Sequence, residues 1–342
     1  MLLVVALAAT SCVNDGTWTL RAPADTTHNT PIFNRQLLSV SCPTTTFCMA
    51  VGAGGFSATD TDQDVAIVQT WNGTTWTDLS WPLDGPDGSN PMRVECTSAT
   101  SCFVHFGYWG NADHRDRLAH WDGTTFTTVG VDLQYWPNSL ACAKPDFCLI
   151  TSGGGSATWT NGTLADAAGP SEPDTSACLS STWCMTVDDF DQTSRIFQGG
   201  TSWSTPVAVP AGAGGLGSYW SSVDCTSTTD CIMVGTGAPG ATPVAAHWNG
   251  IGWTLTTLPI SVGRVRTVSC APTHNCVAVG DVAGTSISLS WNGNNWNVAP
   301  APPGTYPGSY AGIDCLDHWC MGVGYRTGAS PELTAGTYAW TR

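Results

Sequence analysis

Fourteen of the fifteen cysteines fall into seven close pairs. Thiols at such range can oxidise to a disulfide or share a metal ion. The pairs are Cys42/Cys48, Cys96/Cys102, Cys142/Cys148, Cys178/Cys184, Cys225/Cys231, Cys270/Cys276 and Cys315/Cys320; the first six enclose five residues and the last encloses four. Zinc knuckles favour two to four intervening residues and two pairs per metal. Pairs in separate repeats are poorly placed to share one ion. The preferred reading is therefore one disulfide within each repeat. Each closes a short loop, worth about 2 kcal/mol in the chain-entropy model.

Other chemistry is thin. Asp60-Thr61-Asp62-Gln63-Asp64 begins like a calcium loop, but the glycine at its sixth position and the distal glutamate are missing. Asp60, Asp62 and Asp64 are weak calcium candidates, with solvated loop acids as the plainer reading. No other cofactor is expected. Arg93, Arg115, Arg117, Arg264, Arg266 and Arg326, with Glu95 or Glu332, offer raw material for a sialidase-like site. Arg93 and Glu95, two apart on one strand, read more simply as an ion pair. His120 and His247 each precede a repeat tryptophan, a place held elsewhere by Thr70 and Ser290, so they read as repeat positions. No serine-nucleophile motif, P-loop or dinucleotide fingerprint occurs.

The positioning elements follow from the repeat. After each cysteine pair comes a small-apolar stretch such as Met49-Ala50-Val51-Gly52, then a turn such as Trp71-Asn72-Gly73-Thr74-Thr75-Trp76. Leading cysteines are 54, 46, 36, 47, 45 and 45 residues apart. A period near 45 suits four short strands, the size of one propeller blade. A helical repeat of similar period is rejected by composition: 38 Gly, 21 Pro, one Lys and three Glu. Each repeat reads as four strands. The first ends at the leading cysteine, the second starts at the trailing one, and the third ends at the Trp of Trp-Asn-Gly. Asn-Gly supplies positive φ and reverses the chain into a fourth strand opened by the next aromatic. In the fourth repeat that aromatic is Trp203, one residue later.

The chain ends complete each other. Trp340 closes a third strand, and Asn14-Asp15-Gly16-Thr17-Trp18-Thr19-Leu20 reads as the missing turn and fourth strand. The expected fold is all-β: a seven-bladed β-propeller of four-stranded blades spanning 13–342, last blade closed by residues 14–20. Blade starts fall near 36, 91, 137, 174, 220, 265 and 310.

In such a ring the disulfide loops and Asn-Gly turns share one face. The variable blade-to-blade and second-to-third-strand loops share the other, the usual face for function. Aromatics concentrate there: Trp81, Tyr108, Trp109, Tyr135, Trp136, Tyr219, Trp220, Tyr306, Tyr310 and Tyr325. They read either as inter-blade packing or as a recognition surface of rigid rings, suited to stacking on sugars.

Disulfides at this density imply an oxidising compartment. Residues 1–12 read as an export signal: Met1–Ala9 is apolar but too short to span a bilayer. Two processing readings stay open, an A-x-A site at Ala6-Leu7-Ala8 and a lipobox-like Ala9-Thr10-Ser11-Cys12 that would lipidate Cys12. Met1 lacks a basic flank, so the true start could lie upstream. The formal charge of −15 argues against nucleic acid and anionic membrane as partners.

Val40-Ser41-Cys42-Pro43-Thr44-Thr45-Thr46-Phe47-Cys48-Met49-Ala50-Val51-Gly52 with Trp71-Asn72-Gly73-Thr74-Thr75-Trp76 resembles a Cys-paired repeat of secreted actinobacterial propeller proteins, mostly uncharacterised. The resemblance covers nearly the whole chain from Asn14. It implies an exported propeller and transfers no catalytic residues. The Trp-Asn-Gly turn is also faintly similar to the sialidase Asp-box, without its spacing. The function expected is an extracellular or cell-surface binding module, monomeric, recognising a glycan or protein, with the balance leaning against an enzyme. The alternatives are a sialidase-like glycoside hydrolase or polysaccharide lyase, and a structural cell-wall component. Convergent carboxylates in the central funnel would favour the enzyme; an uncharged aromatic platform would favour binding.

Overall fold

The computed structural model describes residues 17–24, 33–55, 65–83, 89–108, 116–130, 137–144, 146–153, 155–169, 173–211, 218–237, 242–273, 275–300, 308–327 and 333–341. Every regular element among them is a strand. Valine, threonine and tryptophan alternate with small residues, and glycine and proline punctuate the turns, so extended backbone is favoured throughout.

Six blades, not seven, are contiguous in the chain, each an antiparallel meander of four strands. They comprise β2 (Phe33–Thr44), β3 (Phe47–Gly55), β4 (Val65–Trp71) and β5 (Trp76–Asp78); β6 (Ser89–Ser98), β7 (Ser101–Tyr108), β8 (Asp116–Trp121) and β9 (Phe126–Thr128); β10 (Pro137–Lys144), β11 (Phe147–Ser152), β12 (Gly155–Thr160) and β13 (Thr163–Asp166); β14 (Thr175–Ser180), β15 (Trp183–Asp188), β16 (Thr193–Phe197) and β17 (Val207–Ala208); β18 (Ser218–Ser227), β19 (Asp230–Gly237), β20 (Thr242–Trp248) and β21 (Trp253–Thr256); and β22 (Arg264–Cys270), β23 (Cys276–Val282), β24 (Thr285–Trp291) and β25 (Trp296–Ala299). A further sheet is composite. Its inner three strands, β26 (Gly308–Leu316), β27 (Trp319–Thr327) and β28 (Leu333–Thr341), are completed by β1 (Thr17–Arg21) from the other end of the chain. Trp18 pairs with Trp340. First strands of successive sheets pack in a closed cycle, β2 to β6 and onward to β26, which packs against β2. The molecule is a β-propeller with four-stranded blades and no free sheet edge at the seam.

Each sheet carries one disulfide between its first two strands: Cys42–Cys48, Cys96–Cys102, Cys142–Cys148, Cys178–Cys184, Cys225–Cys231, Cys270–Cys276 and Cys315–Cys320. The sulfurs lie deeper than the loops they close. The trailing cysteines Cys48, Cys102, Cys148, Cys184, Cys231 and Cys320 are only 0–1% exposed, and so lie in the core. The cause is the register of the second and third strands. Cys48 pairs with Trp71, Cys102 with Trp121, Cys148 with Trp159, Cys184 with Phe197, Cys231 with Trp248 and Cys320 with Trp340. Cross-strand partners share a face of the sheet, so each sulfur stands beside a repeat aromatic. These cysteines are packing residues as well as staples, and none is a surface site.

The core lies between blades, as when Trp291 and Trp296 of one blade pack with Ile232 and Val234 of the blade before.

Two further local expectations need correction. The outer strand of the fourth blade does not open at Trp203. That residue makes only an isolated bridge to Phe197, and β17 follows at Val207–Ala208. The Trp203 indole instead donates to the Ala167 carbonyl of the blade before, at 2.8 Å, and so spans an inter-blade gap. The Asn-Gly turns also differ from the two-residue form. In the first repeat Trp71 pairs with Trp76 across four residues, only Gly73 has positive φ, and Asn72 works through its carboxamide oxygen, which accepts the Thr74 and Thr75 amides at 2.9 Å. The two-residue turn occurs in the third repeat, where Asn161 and Gly162 both have positive φ between paired Thr160 and Thr163.

Candidate functional site: the central channel and the loop face

The first strand of most blades carries a bulge near its midpoint, at Leu38, Met92, Asn138, Ser221, Arg266 and Ala311. The glycines opposite allow it. A Cβ on Gly52, Gly235 or Gly280 would stand 1.9–2.1 Å from a first-strand carbonyl oxygen. In most blades the residues three and one before the leading cysteine line the ring's inner wall.

These positions lace the blades together. Three before the cysteine, the Ser39, Ser139, Thr175 and Ser222 hydroxyls accept the amides of Val94, Ser176, Val223 and Val268 in the next blade, at 2.9–3.2 Å. One before it, Ser41 accepts Cys96 N–H at 2.9 Å and Ser269 accepts Cys315 N–H at 3.0 Å. Asp224 accepts its own neighbour Cys225 N–H at 2.8 Å and Cys270 N–H of the next blade at 2.7 Å. Asp314 accepts Cys42 N–H across the seam and the Ser269 hydroxyl at 3.4 Å. Backbone groups that a strand edge would leave bare are thereby satisfied.

Glu95 holds the same place in the second blade. It is one methylene longer than Asp, and its carboxyl has no hydrogen bond among the described residues. Burial, then the Asp314 and Asp224 charges, raise its pKa well above the usual value. Burial raises Asp224 to about 7 and Asp314 to about 6, against the pull of their amide donors. The channel these walls enclose has a volume of about 330 Å³, at the small end of ligand pockets. Its charged lining is Arg93, Glu95, Asp174, Asp224, Arg266 and Asp314. Asp174 is raised by burial, and its Oδ2 accepts the Asp189 amide at 2.8 Å.

The expected Arg93–Glu95 ion pair is corrected by this geometry. Arg93 donates to the Asn138 carbonyl at 3.2 Å and the Met92 carbonyl at 3.0 Å, capping the bulge rather than meeting Glu95. His120 and His247 behave as repeat positions, bonded to Ser101 at 3.1 Å and Asp230 at 2.7 Å. Among the described residues, no three His, Cys, Asp or Glu side chains are placed to hold a metal.

The aromatic candidates separate. Trp81 is 8% exposed and meets Phe106 and Phe126 at 5.1 and 5.0 Å between the first two blades. Trp220 is 1% exposed, packed with Val187, Val223 and Met233. Both are corrected from ligand contacts to core. For Trp220 the cause is the bulge at Ser221, which reverses the inward-outward alternation and turns the ring into the inter-blade core. Tyr219, one residue earlier, is 63% exposed. Tyr325 is half-buried on β27. The backbones of Tyr108 and Tyr310 lie in β7 and β26, their side chains outside the described residues. Trp109, Tyr135, Trp136, Tyr306, Asp60, Asp62, Asp64 and Cys12 also lie outside them.

Sequence reasoning missed Phe190, which is 84% exposed at the tip of the β15–β16 hairpin. Asp188 Oδ1 builds that tip by accepting the Phe190 and Asp191 amides at 3.0 and 2.9 Å. It also missed Asp224 and Asp314. The residue before each leading cysteine runs Ser41, Glu95, Ala141, Ala177, Asp224, Ser269, Asp314, a series visible in the repeat alignment.

No protein-family model matches the chain, and no curated protein matches it. Solved structures do, and those named here are propellers. YCF48 bound to D1 peptide aligns at 12% identity and TM-score 0.62 over 96% of this chain and 95% of its own. A catalytically inactive virginiamycin B lyase from Staphylococcus aureus with quinupristin aligns at 10% identity and TM-score 0.64 over 96% and 100%. The WD40 propeller domain of Doa1 aligns at 12% identity and TM-score 0.56 over 89% and 96%. At these identities the likeness concerns the fold.

Proposed function

We propose that the chain is an exported interaction propeller that takes a glycan or an extracellular protein on its loop face. The observation that carries this is the pair of rings Phe190 and Tyr219, 84% and 63% exposed. They project from adjacent blades on the face where the second-to-third-strand hairpin and the head of the first strand lie. Aromatic rings have few rotors to freeze, so they bind at low entropic cost. One disulfide per blade fits an oxidising, extracytoplasmic setting. YCF48 and the virginiamycin B lyase carry a peptide and quinupristin on the same scaffold.

An enzyme reading draws on the convergence of Glu95, Asp224 and Asp314 in the channel. Two of the three are committed to backbone amides of neighbouring blades, which leaves one carboxyl for chemistry that needs two. The binding reading is therefore preferred. The test is to probe purified protein against immobilised glycans and tiled extracellular peptides, alongside Phe190→Ser and Tyr219→Ser. Binding that both substitutions weaken at least tenfold supports the reading; binding indifferent to both contradicts it.

A further inference from the structure

Among the described residues, the channel holds a carboxyl that the fold does not use. At its position, one before the leading cysteine, serine and aspartate elsewhere reach the next blade's amide, and alanine in the third and fourth blades makes no such bond. Glu95 fits neither pattern. Its half-buried side chain lines the channel, a cavity of about 330 Å³, and its carboxyl makes no hydrogen bond among the described residues. Asp224 and Asp314 stand close enough for their charges to act on it. Arg266 is paired with Asp281 at 2.9 Å, and Arg93 is held by two carbonyls that leave its charge in place, so the lining sets four carboxyls against two guanidiniums. A net acidic channel lining with an open acceptor favours a positive guest.

We infer that the channel at Glu95 is a seat for a single organic cation, an ammonium group held by the Glu95 carboxylate in the field of Asp224 and Asp314. This deepens the binding reading and rests on it, since the ammonium would belong to the ligand that the loop face receives. The donor set suits an ammonium better than a metal. Among the described residues no three acids converge within ligand distance, and an ammonium needs only the one open carboxyl. The cavity volume matches roughly ten waters, enough for a lysine-like side chain or a small free amine.

The inference predicts a proton signature. With no cation present, burial and two negative neighbours keep the Glu95 carboxyl protonated well above the ordinary range. An arriving ammonium favours the ionised form, so binding releases a proton.

The test is calorimetric titration of the full chain at pH 6 with butylamine and with the peptide Gly-Lys-Gly, in two buffers of different ionisation enthalpy. Neutral 1-pentanol and calcium chloride serve as comparison probes. The expected result is saturable one-site binding of at least one amine probe, with net proton release, no binding of pentanol, and a loss of at least tenfold in Glu95→Gln. Butylamine alone would identify a free amine as the source, and Gly-Lys-Gly alone a peptide side chain. Glu95→Ala is the second variant, because Ala141 and Ala177 occupy the equivalent place. Absence of saturable amine binding would overturn the inference, as would equal binding by both variants or Glu95-dependent binding of calcium alone. Loop-face binding by Phe190 and Tyr219 is read separately on the arrays, so either claim can fail without the other.

Discussion

The Asp314 carboxylate accepts the Cys42 backbone N–H, and so joins the last blade to the first across 272 residues of sequence. Ser41 and Ser269 make the equivalent bond to their next blades with a neutral hydroxyl. Asp314→Ser should therefore fold with stability equal to or above the parent at pH 8, since it keeps an acceptor and removes a buried charge. Asp314→Ala should lose about 1–3 kcal/mol, because the Cys42 amide is left without a partner. Urea midpoints of the two variants check this; equal destabilisation by both would show that the bond does not close the ring.

Stability should fall as pH rises from about 4 to about 7. Asp224 and Asp314 titrate near 7 and 6 in the fold, above their ordinary value of 3.8, and burial raises Glu95 and Asp174 in the same direction. Between the unfolded and folded pKa values the native state binds more protons, so stability is greatest on the acid side and flattens above about 7. Buried His105, lowered to about 3, opposes this below pH 6.5, because there the unfolded state binds the extra proton. Four acids outweigh one buried imidazole, and half-buried His120, also lowered, adds only a smaller opposing share. The melting temperature at pH 5 should exceed that at pH 8, and Asp224→Ser should narrow the gap. A higher melting temperature at pH 8 would contradict the assignment.

Tyr219 and Trp220 are neighbours with opposite roles. Trp220→Ala should cost about 3–5 kcal/mol by opening a cavity between the fourth and fifth blades. Tyr219→Ala should change stability by no more than about 0.5 kcal/mol, as an exposed surface residue does. Denaturant titration distinguishes them, and a reversed order would displace the bulge from its place in the argument.

Trp18 ties the N-terminal strand to two blades: it pairs with Trp340 and packs against Val277 and Val279 of the sixth blade. Trp18→Ala should lower the melting temperature and expose the edge of β28, promoting association measurable by light scattering. A variant as stable and monodisperse as the parent would show that β1 adds nothing to closure.

Much of the architecture could be read from spacing alone. The near-constant spacing within each cysteine pair and the recurring Trp-Asn-Gly turns marked the strands, and Trp18 and Trp340 marked the composite sheet. The depth of the sulfurs was not legible that way, because pairing of Cys102 with Trp121 or Cys231 with Trp248 depends on the register of a third strand that starts after a loop of variable length. The channel was less legible still. Its chemistry lies in single residues beside a repeated cysteine and depends on ring closure to converge. Glu95 looked like half of an ion pair until the bulge carried Arg93 to the Asn138 carbonyl. The aromatic face misled for a related reason. Tyr219 and Trp220 are equivalent by composition, and only the extra residue at Ser221 decides which of them enters the core. Phe190 left no repeat signature, since its exposure follows from a hairpin closed by Asp188.

The claim that the loop face binds is tested most directly by amide hydrogen exchange on the purified protein, with and without the strongest array ligand. The account predicts slowed exchange at 188–192 and 218–220, with no change at the disulfide loops 43–47, 97–101 and 226–230. Protection confined to those loops or to the Trp-Asn-Gly turns would place the ligand on the opposite face and contradict the account.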